Sequence, residues 1–323
     1  MCKPVYVYNT TSPKNNKISW KYLSYNPNAI SILEKHLDKV NWLNLSNNPN
    51  AIPILEKHLD KVVWYQLSKN TNAIHILEKN LDKVDWSNLS YNKNAIPILE
   101  KNLDKVLNWE YISQNPNAIP ILEKNMDKVY WPSFSYNPNA IHILEKHLDK
   151  VDWYWLSKNP NAIHILEKNL DKVNWINLSY NKNAIPILEK NLDKIDWDWI
   201  SINPNAVPIL EKNMDKIDWD QLSGNPNAIH LLEKNLDKLN WHQLSGNPNA
   251  IHILEKNMKK VKWDILSGNP NGIHMMFDLD YTNMMQLNKE LTNELVQTVF
   301  HPDRVNRMAN EYKMDFDEYL DTI

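Results

Sequence analysis

Two carboxylates recur along this 323-residue chain at a spacing that acid–base chemistry can use. Glu34 and Asp38 stand four positions apart, which in a continuous helix puts both groups on one side. Such a pair can exchange protons with a substrate or hold a cation. Lys35 and Lys39 accompany them, however, and a pair repeated along the whole chain lacks the break in symmetry that a single active site needs. We interpret the pair as a solvated helix face and predict no enzyme activity and no cofactor.

Histidines occupy another recurring position, where imidazole groups could bind a metal ion. Only neighbours in consecutive copies, such as His142 and His164, could approach one another, and no group that would orient them as ligands is recognisable. We interpret them as surface or inter-repeat packing residues and predict no metal site. The histidines at this position are His75, His142, His164, His230, His252 and His274.

Motifs of the common enzyme classes are missing from the sequence, which has no Gly-rich phosphate loop, no CxxC pair and no HExxH. The single cysteine, Cys2, cannot form an internal disulfide and suits a reducing compartment. The first residues contain no apolar signal-peptide segment, and no apolar run approaches 18 residues. We therefore expect an intracellular protein that is neither secreted nor inserted in a membrane.

Tryptophan marks the tandem repeat that must position these groups. Twelve of the fourteen tryptophans are spaced 22 residues apart, except for one interval of 23, where a residue is inserted before Trp109. Loops tolerate such insertions. The period predicts about twelve units that stack into one elongated body. These twelve tryptophans are Trp20, Trp42, Trp64, Trp86, Trp109, Trp131, Trp153, Trp175, Trp197, Trp219, Trp241 and Trp263.

Each unit contains a pattern typical of a short amphipathic helix. Ile30, Leu33, Leu37 and Val40 follow a 3, 4, 3 spacing, which is one face of a helix. The charged residues between them fall mostly elsewhere. The pattern predicts a first helix that would pack against the neighbouring units.

Residues that interrupt helices predict where these elements begin and end. Asn28 is a good N-cap, and the proline at the equivalent of position 31 in several units, such as Pro53, suits a first turn. His36 is replaced only by Asn in other units, which predicts a left-handed residue that ends the helix. Asp38 would then cap a second helix over roughly residues 39–46.

The fold class predicted from these elements is all-α, an α-solenoid of about twelve helix–turn–helix units. The alternative is a leucine-rich-repeat-like solenoid, because the unit length and the Leu-Ser-x-Asn segment fit that family. Its strand needs an apolar residue five positions before the Asn, where this chain has Lys21, Glu110, Pro132 and Asp198 among others. We therefore favour the α-solenoid, with a rod or superhelix on the order of 100 Å long.

The ends of the chain depart from the period and are predicted to cover the repeat array. We assign residues 1–19 to an N-terminal cap, residues 20–277 to the solenoid and residues 278–323 to a helical C-terminal cap. Within the last segment, helices are expected around residues 283–299 and 303–320.

The tail also contains His301-Pro302-Asp303, a tripeptide that lies between two helices in J-domain co-chaperones. The flanking helical pattern of a J-domain is not evident here. We interpret Asp303 as the N-cap of the following helix.

Two asparagines recur in all twelve units, as in Asn26 and Asn28. Such a row could bind the backbone of an extended peptide. The interpretation that we favour is structural, in which the side chains cap helices and bond loop amides between units.

The positions that vary between units are where specificity is expected. They are the two residues after the tryptophan and the one after the serine, and large aromatic residues occupy them in the middle units. Exposed aromatic residues are frequent anchors of protein-binding surfaces, although some of these could instead pack between units. The candidate partner-binding residues are Tyr111, Tyr136, Tyr154, Trp155, Tyr180 and Trp199.

The alternative function is binding of single-stranded RNA, because helical repeats can read bases and aromatic rings can stack on them. The chain has 36 basic and 39 acidic residues, for a net charge of −3. Lysines accompany carboxylates in each unit, so no unpaired basic stripe is evident. We therefore predict a protein partner and argue against nucleic acid.

The repeat unit Trp-x-x-Leu-Ser-x-Asn-Pro-Asn-Ala-Ile-x-Ile-Leu-Glu-Lys-Asn-Leu-Asp-Lys-Val-x-Trp resembles short tandem-repeat proteins of mimivirus-like giant DNA viruses. The resemblance covers residues 18–277, and the tail segments 300–304 and 317–320 are similar to C-termini of that group. It implies a viral origin, with a site of action in the host cytoplasm or the virion, and it carries no catalytic residues. Three hypotheses follow: a protein-binding scaffold, an RNA-binding array, and a structural component of a viral particle.

Overall fold

A computed structural model describes residues 6–7, 17–106, 108–279 and 289. In this part of the chain there are twenty-four α-helices, two in each repeat unit. The predicted all-α solenoid is confirmed, and the leucine-rich-repeat alternative is wrong, because the Trp-x-x-Leu-Ser segment is helical rather than extended.

The first helix of every unit begins at the repeat tryptophan. These helices are α1 Trp20–Leu23, α3 Trp42–Asn47, α5 Trp64–Leu67, α7 Trp86–Tyr91, α9 Trp109–Gln114, α11 Trp131–Tyr136, α13 Trp153–Lys158, α15 Trp175–Tyr180, α17 Trp197–Ile202, α19 Trp219–Ser223, α21 Trp241–Gly246 and α23 Trp263–Gly268.

The second helix of each unit begins after the Asn-Pro-Asn-Ala loop. These helices are α2 Ile30–Lys35, α4 Ile52–Lys57, α6 Ile74–Glu78, α8 Ile96–Lys101, α10 Ile119–Glu123, α12 Ile141–Leu144, α14 Ile163–Glu167, α16 Ile185–Glu189, α18 Val207–Glu211, α20 Ile229–Lys234, α22 Ile251–Lys256 and α24 Ile273–Met276. Short 3-10 turns lie at Leu103–Lys105, Pro116–Ala118, Met126–Lys128 and Met214–Lys216.

The first helices are capped by the residue immediately before the tryptophan. Asn41 is extended, and its side-chain oxygen accepts a hydrogen bond from the backbone N–H of Asn44 at 3.0 Å. The prediction that Asp38 caps this helix is wrong, because Asp38 lies in the turn three residues earlier. The recurring pair Glu34 and Asp38 is therefore not on one helix, since α2 ends at Lys35.

The boundaries predicted for the second helix are also corrected. Ala29 precedes α2 without a side-chain cap, and Asn28 instead donates a hydrogen bond to a carbonyl of another unit. His36 has φ −135°, which is not left-handed. At the equivalent position Asn80 donates its side-chain N–H to the Ile76 carbonyl at 2.8 Å, so this position is selected for a side-chain donor or an aromatic contact rather than for backbone conformation.

Only two of the four residues on the helix face predicted from the 3, 4, 3 spacing lie in the core of the unit. Leu33 and Val40 are buried, whereas Ile30 and Leu37 are half-buried. Ile32 is buried instead, because the short helix packs on two sides. The helical period therefore does not extend past Lys35.

Buried asparagines join each unit to the previous one. The side chain of Asn48 donates to the backbone carbonyls of Ser24 and Asn26 at 3.0 and 3.1 Å. Its oxygen accepts the backbone N–H of Asn50 at 3.0 Å. These bonds satisfy loop groups that burial would otherwise leave unpaired. The ladder interpretation of the asparagines is confirmed, and their predicted role as helix N-caps is wrong.

The array closes on itself. The backbone N–H of Ser19 donates to Ser267 Oγ at 3.0 Å, and the side chain of Asn26 donates to the carbonyl of Asn269 at 2.9 Å. Helix α1 packs against α23 as other first helices pack against their neighbours. Residues 17–276 therefore form a ring, and the open rod or superhelix that we expected is wrong.

Residues before the first tryptophan complete the last unit. In unit one, Lys39 Nζ lies 5.2 Å from the ring centroid of Trp20, and each later unit repeats this contact up to unit eleven. In unit twelve, Lys17 takes the same place over Trp263 at 5.7 Å. Ile18 is buried like the valine at its equivalent position. One repeat unit is thus assembled from the two ends of the array.

The first helices form the inner layer of the ring. Successive first helices pack directly on one another around most of the ring, while direct packing between successive second helices is sparser. Neighbouring elements lie closer together at smaller radius, so the first helices surround the ring axis. At about 8–10 Å per unit the inner circumference is about 100 Å, which gives a diameter of about 30 Å between helix axes.

The chain divides into two compact units, one of residues 13–276 and one of residues 1–12 with 277–323. In the second unit, β1 (Tyr6–Val7) pairs antiparallel with β2 (Asp278–Leu279). The predicted helices 283–299 and 303–320, the His-Pro-Asp tripeptide and most of both predicted caps lie outside the described residues. Among the helices that are described, none has the length and apolar character needed to cross a membrane.

Candidate protein-binding surface

Two consecutive buried residues determine which side of each first helix is exposed to solvent. In unit seven, Leu156 and Ser157 are fully buried, and Ser157 Oγ donates to the Trp153 carbonyl at 2.7 Å. The same hydroxyl accepts the backbone N–H of Asn174, which caps the next unit's first helix. The two residues after the tryptophan and the one after the serine are therefore left on the side of the first helix that is more open to solvent, and these are the positions at which the units differ.

Side chains at two of these variable positions meet at several junctions between units. The residue after the serine of one unit lies beside the second residue after the tryptophan of the next. Where small residues occupy these positions the same geometry holds, since a Cβ added to Gly246 would lie 3.4 Å from Ile265 Cγ2. Each of these junctions thus presents one pair of variable side chains.

Aromatic residues form pairs at three alternate junctions. The ring centroids of Tyr91 and Tyr111 are 4.4 Å apart, at the junction of units four and five. Tyr136 and Trp155 are 6.0 Å apart between units six and seven. Both distances are typical of interacting aromatic rings.

The third pair is Tyr180 and Trp199, between units eight and nine, with centroids 5.7 Å apart and planes at 84°. Tyr154 extends the middle pair, because its ring lies edge-on to Trp155 at 5.4 Å. We call these residues together the aromatic surface; its members are Tyr91, Tyr111, Tyr136, Tyr154, Trp155, Tyr180 and Trp199.

The aromatic surface is partly packed and partly open to solvent. Tyr154, Tyr180 and Trp199 remain 48, 43 and 47% exposed, whereas Tyr111, Tyr136 and Trp155 are half-buried. Ile176, at 50% exposed, lies between them in unit eight. Units seven to nine therefore present the most apolar stretch of the inner layer. The pairs differ in exposure: Tyr91 is the exposed ring of the first pair, both rings of the middle pair are half-buried, and both rings of the third pair are exposed.

A lysine covers the middle pair. Lys158 Nζ lies 5.3 Å from the ring centroid of Tyr154 and 5.2 Å from that of Trp155. Cations over aromatic faces are attracted by the ring quadrupole. In the part of the chain that the structure describes, no lysine or arginine lies over the rings of the Tyr180–Trp199 pair.

The structure brings the predicted residues together in a way that the sequence did not indicate. All six candidates lie on the inner layer, and five of them meet in two groups, one across units six and seven and one across units eight and nine. The sixth, Tyr111, is paired with Tyr91, which the predicted set omits. The sequence could have identified Tyr91, because Tyr91 occupies the same position after the serine as Tyr136 and Tyr180.

The first helices and their capping residues carry more carboxylates than ammonium groups. The acidic residues are Asp85, Glu110, Asp152, Asp196, Asp198, Asp218, Asp220 and Asp264. The basic residues are Lys21, Lys69, Lys158 and Lys262. Carboxylates therefore outnumber ammonium groups within these helices and caps, apart from the lysines that lie over the repeat tryptophans, and this local negative charge disfavours binding of a phosphate backbone.

Carboxylates crowd together next to Trp199. Desolvation, the charges of Asp218 and Asp196 and a hydrogen bond with Asp218 raise the pKa of Asp198. Asp196 and Asp218 are fixed because each caps a helix, accepting the backbone N–H of Trp199 at 3.0 Å and of Gln221 at 2.8 Å. Similarly, burial, with smaller effects of Tyr111 and Glu110, raises the pKa of Tyr91.

The recurring histidines bond to carboxylates of the preceding unit. Nε2 of His75 lies 2.7 Å from Glu56 Oε1, and Nε2 of His164 lies 2.6 Å from Glu145 Oε1. The same bond recurs at His142, His230, His252 and His274. The interpretation of these histidines as inter-repeat residues is confirmed. The described residues include no group of three or more His, Cys, Asp or Glu side chains placed to hold a metal ion.

Comparisons with known proteins give no match to a protein-family model, to a curated protein or to a solved structure.

Proposed function

We propose that this chain is a non-catalytic repeat ring that binds a protein partner through the aromatic surface. The observation that carries the proposal is the set of three aromatic pairs at alternate junctions, of which the two outer pairs present exposed rings at Tyr91, Tyr180 and Trp199. Rigid, partly exposed aromatic residues are the side chains that most often dominate binding energy in protein interfaces.

The positions that recur in every unit support a non-catalytic role. The asparagines join neighbouring units, the lysines lie over the tryptophans, and the histidines pair with glutamates of the preceding unit. Groups engaged in identical contacts around a ring build the framework. Specificity then belongs to the variable positions, and these carry aromatic rings rather than nucleophiles or paired acid–base groups.

RNA binding is the competing function, because stacked aromatic rings with Lys158 nearby could receive bases. The carboxylates next to the outer aromatic pairs, Asp198 beside Trp199 and Glu110 beside Tyr111, oppose it. Each phosphate brought to the inner layer would meet capping aspartates at several junctions, and non-specific RNA affinity depends on neutralising phosphates with basic side chains. A structural role in a viral particle is the third candidate, and it would not require the aromatic pairs.

The resemblance to repeat proteins of giant DNA viruses leads us to propose a viral origin, with a partner from the host or the virion. The proposal rests on the repeat motif alone. It predicts that the ring acts inside the infected cell or the particle.

The function is tested by cross-linking capture from cells that express the chain. The variant Trp155→Ala/Trp199→Ala should lose its cross-linked partner, because truncation of an anchoring aromatic residue typically costs 2 kcal/mol or more, about thirtyfold in affinity. The matched control is Tyr25→Ala/Tyr65→Ala, which removes two exposed aromatic residues outside the surface and should retain the partner. Equal capture by both variants would refute the assignment of these rings.

A further inference from the structure

The aromatic surface has a second property besides exposed rings, which is its combination with fixed negative charge. We propose that it binds an arginine-rich segment of the partner protein. This inference rests on the function proposed above and specifies the chemistry of the partner.

The junction of units eight and nine shows the combination most clearly. Trp199 is 47% exposed, and its immediate neighbour Asp198 is exposed as well. Asp196 and Asp218 cannot turn away from Asp198, since both side chains cap helices. Three carboxylates beside an open indole ring repel one another in the free protein, and an approaching cation would relieve that repulsion.

The junction of units four and five repeats the arrangement with a single carboxylate. Glu110 precedes Tyr111 in helix α9, and its charge acts on Tyr91 across the junction. Tyr91 is 41% exposed, and its ring is 4.4 Å from that of Tyr111. A cation that stacks on Tyr91 would therefore find a carboxylate within reach.

The middle junction indicates what these rings accept. There the protein supplies its own cation, since Lys158 lies over both Tyr154 and Trp155. Every repeat tryptophan from Trp20 to Trp263 likewise has a lysine over its ring. The fold thus uses one contact throughout, a cation on an aromatic face, and the two outer junctions present the aromatic half of that contact to solvent.

Arginine fits this chemistry better than lysine. Its planar guanidinium stacks on an aromatic ring and can bond a carboxylate through two N–H groups at the same time. A polyanion such as RNA would offer bases for stacking but would place phosphates against Asp198 and Glu110. Charge complementarity therefore selects a basic protein segment.

The spacing of the junctions defines the segment. Alternate junctions are two units apart, about 16–20 Å. An extended chain covers that distance in about six residues. The two outer junctions are four units apart, so in a segment with an arginine at about every sixth position, arginines about twelve residues apart could contact both of them.

The test uses fluorescence anisotropy with the full-length chain and labelled peptides of about 20 residues, which exceed the span of the three junctions. One peptide has arginine at every sixth position in a Gly/Ser background, a second has glutamine and a third has glutamate there. A single-stranded uridine oligonucleotide of similar length is the fourth probe. We expect the arginine peptide to bind most tightly, with an affinity that falls as salt is added.

Two substitutions at equivalent positions test whether the carboxylate beside Trp199 contributes to peptide binding. Asp198→Asn should weaken binding of the arginine peptide about two- to fivefold, the range expected for an exposed charge pair. Asp264→Asn is the matched control, because Asp264 holds the same position in unit twelve, where Ile265 replaces the tryptophan. Trp199→Ala should weaken binding about tenfold or more. Circular dichroism of each variant checks that the ring is intact.

The possible outcomes separate this inference from the proposed function. Equal binding of the arginine and glutamine peptides, with Trp199→Ala still harmful, would overturn the inference and leave a protein-binding aromatic surface. Equal effects of Asp198→Asn and Asp264→Asn would also overturn it. Tighter binding of the oligonucleotide than of any peptide, lost in Trp199→Ala, would overturn both the inference and the proposed function.

Discussion

Ser19 and Ser267 stand 248 positions apart in the chain, yet the backbone N–H of Ser19 donates a hydrogen bond to the hydroxyl of Ser267 at 3.0 Å. The same bond joins Asn41 to Ser24 inside the array, at 2.9 Å. The junction between the last and first units is therefore equivalent to the other junctions. In a linear repeat protein the terminal units have an uncovered face. Here each terminal unit covers the other.

Buried asparagines should be the side chains on which the ring depends most. Asn159 is fully buried, and its side chain donates to the Ser135 and Asn137 carbonyls, both at 2.9 Å. Asn159→Ala should lower the free energy of unfolding by about 3 kcal/mol, because a buried group that loses its partner costs about 1–3 kcal/mol. Urea denaturation measures the change.

The control for this prediction is the neighbouring asparagine of the same loop. Asn161 donates to the Pro138 carbonyl at 2.9 Å but is exposed, so water can replace the bond in Asn161→Ala. We expect a loss below about 1 kcal/mol. Similar losses in the two variants would contradict the ladder as the main link between units.

Helix capping provides a second prediction. Asp152 accepts the backbone N–H of Trp155 at 3.0 Å, so Asp152→Ala should reduce stability by about 1 kcal/mol. Asp149 is the equivalent of Asp38 in unit six, and it lies in the turn before the cap. Asp149→Ala should change stability by less than about 0.5 kcal/mol, as is usual for exposed positions. Thermal unfolding measures both variants. A larger loss of stability in Asp149→Ala than in Asp152→Ala would support the capping role that the sequence predicted for the aspartate at this position.

Two glycines should respond in opposite directions to alanine. Gly246 ends α21, and an added Cβ would meet only Ile265 Cγ2, at 3.4 Å, so Gly246→Ala should stabilise the ring by about 0.5 kcal/mol. At Gly272 the Cβ would lie 2.7 Å from Leu266 Cδ1 and 3.2 Å from the Leu266 carbonyl oxygen. Gly272→Ala should destabilise by about 1–3 kcal/mol through overpacking, although every other unit has alanine there. Equal melting temperatures for the two variants would show that unit twelve packs like the rest.

The crowded carboxylates predict a pH-dependent effect. The pKa of Asp198 is raised in the folded protein by desolvation and by the charges of Asp218 and Asp196, so the folded state favours the protonated form. Stability is therefore lost as the pH rises from the unfolded value, about 3.9, through the folded value. Asp198→Asn should raise the melting temperature at pH 7, and this gain should disappear near pH 3. A gain that persists at pH 3 would mean that charge is not its cause.

The sequence alone was sufficient to predict the fold class and the period. Tryptophan spacing counted the units, and the two helices followed from apolar spacing and from the Asn-Pro-Asn loop. The helix boundaries were misplaced because Asp38 and Asn28 are good capping residues in isolation. In the folded ring, Asn28 bonds another unit and Asn41 takes the capping role, so contacts between units decided what local preference could not.

Closure of the ring could not be predicted from one unit, because curvature results from a small rotation repeated at every junction. A signal was nevertheless present. Residues Lys17, Ile18 and Ser19 before Trp20 match Lys39, Val40 and Asn41 before Trp42. The segment that unit twelve lacks after Met276 is thus found at the other end of the array.

The candidate site was predicted by residue type but not by arrangement. Variable positions identified the aromatic residues, whereas their pairing across junctions depends on how successive first helices align. Tyr136 and Trp155 are 6.0 Å apart although they belong to different units. The sequence of a single repeat cannot indicate a distance between side chains of two different units.

The central claim, a closed ring, is tested most directly by the distance between units one and twelve. Spin labels at Lys21→Cys and Asp264→Cys, with Cys2 replaced by serine, occupy equivalent exposed positions of the two units. The reference pair is Asp198→Cys and Asp220→Cys in adjacent units nine and ten. A closed ring predicts the same strong dipolar broadening for both pairs, because neighbouring helices are about 8–10 Å apart. Broadening in the reference pair alone would contradict the ring and restore an open array.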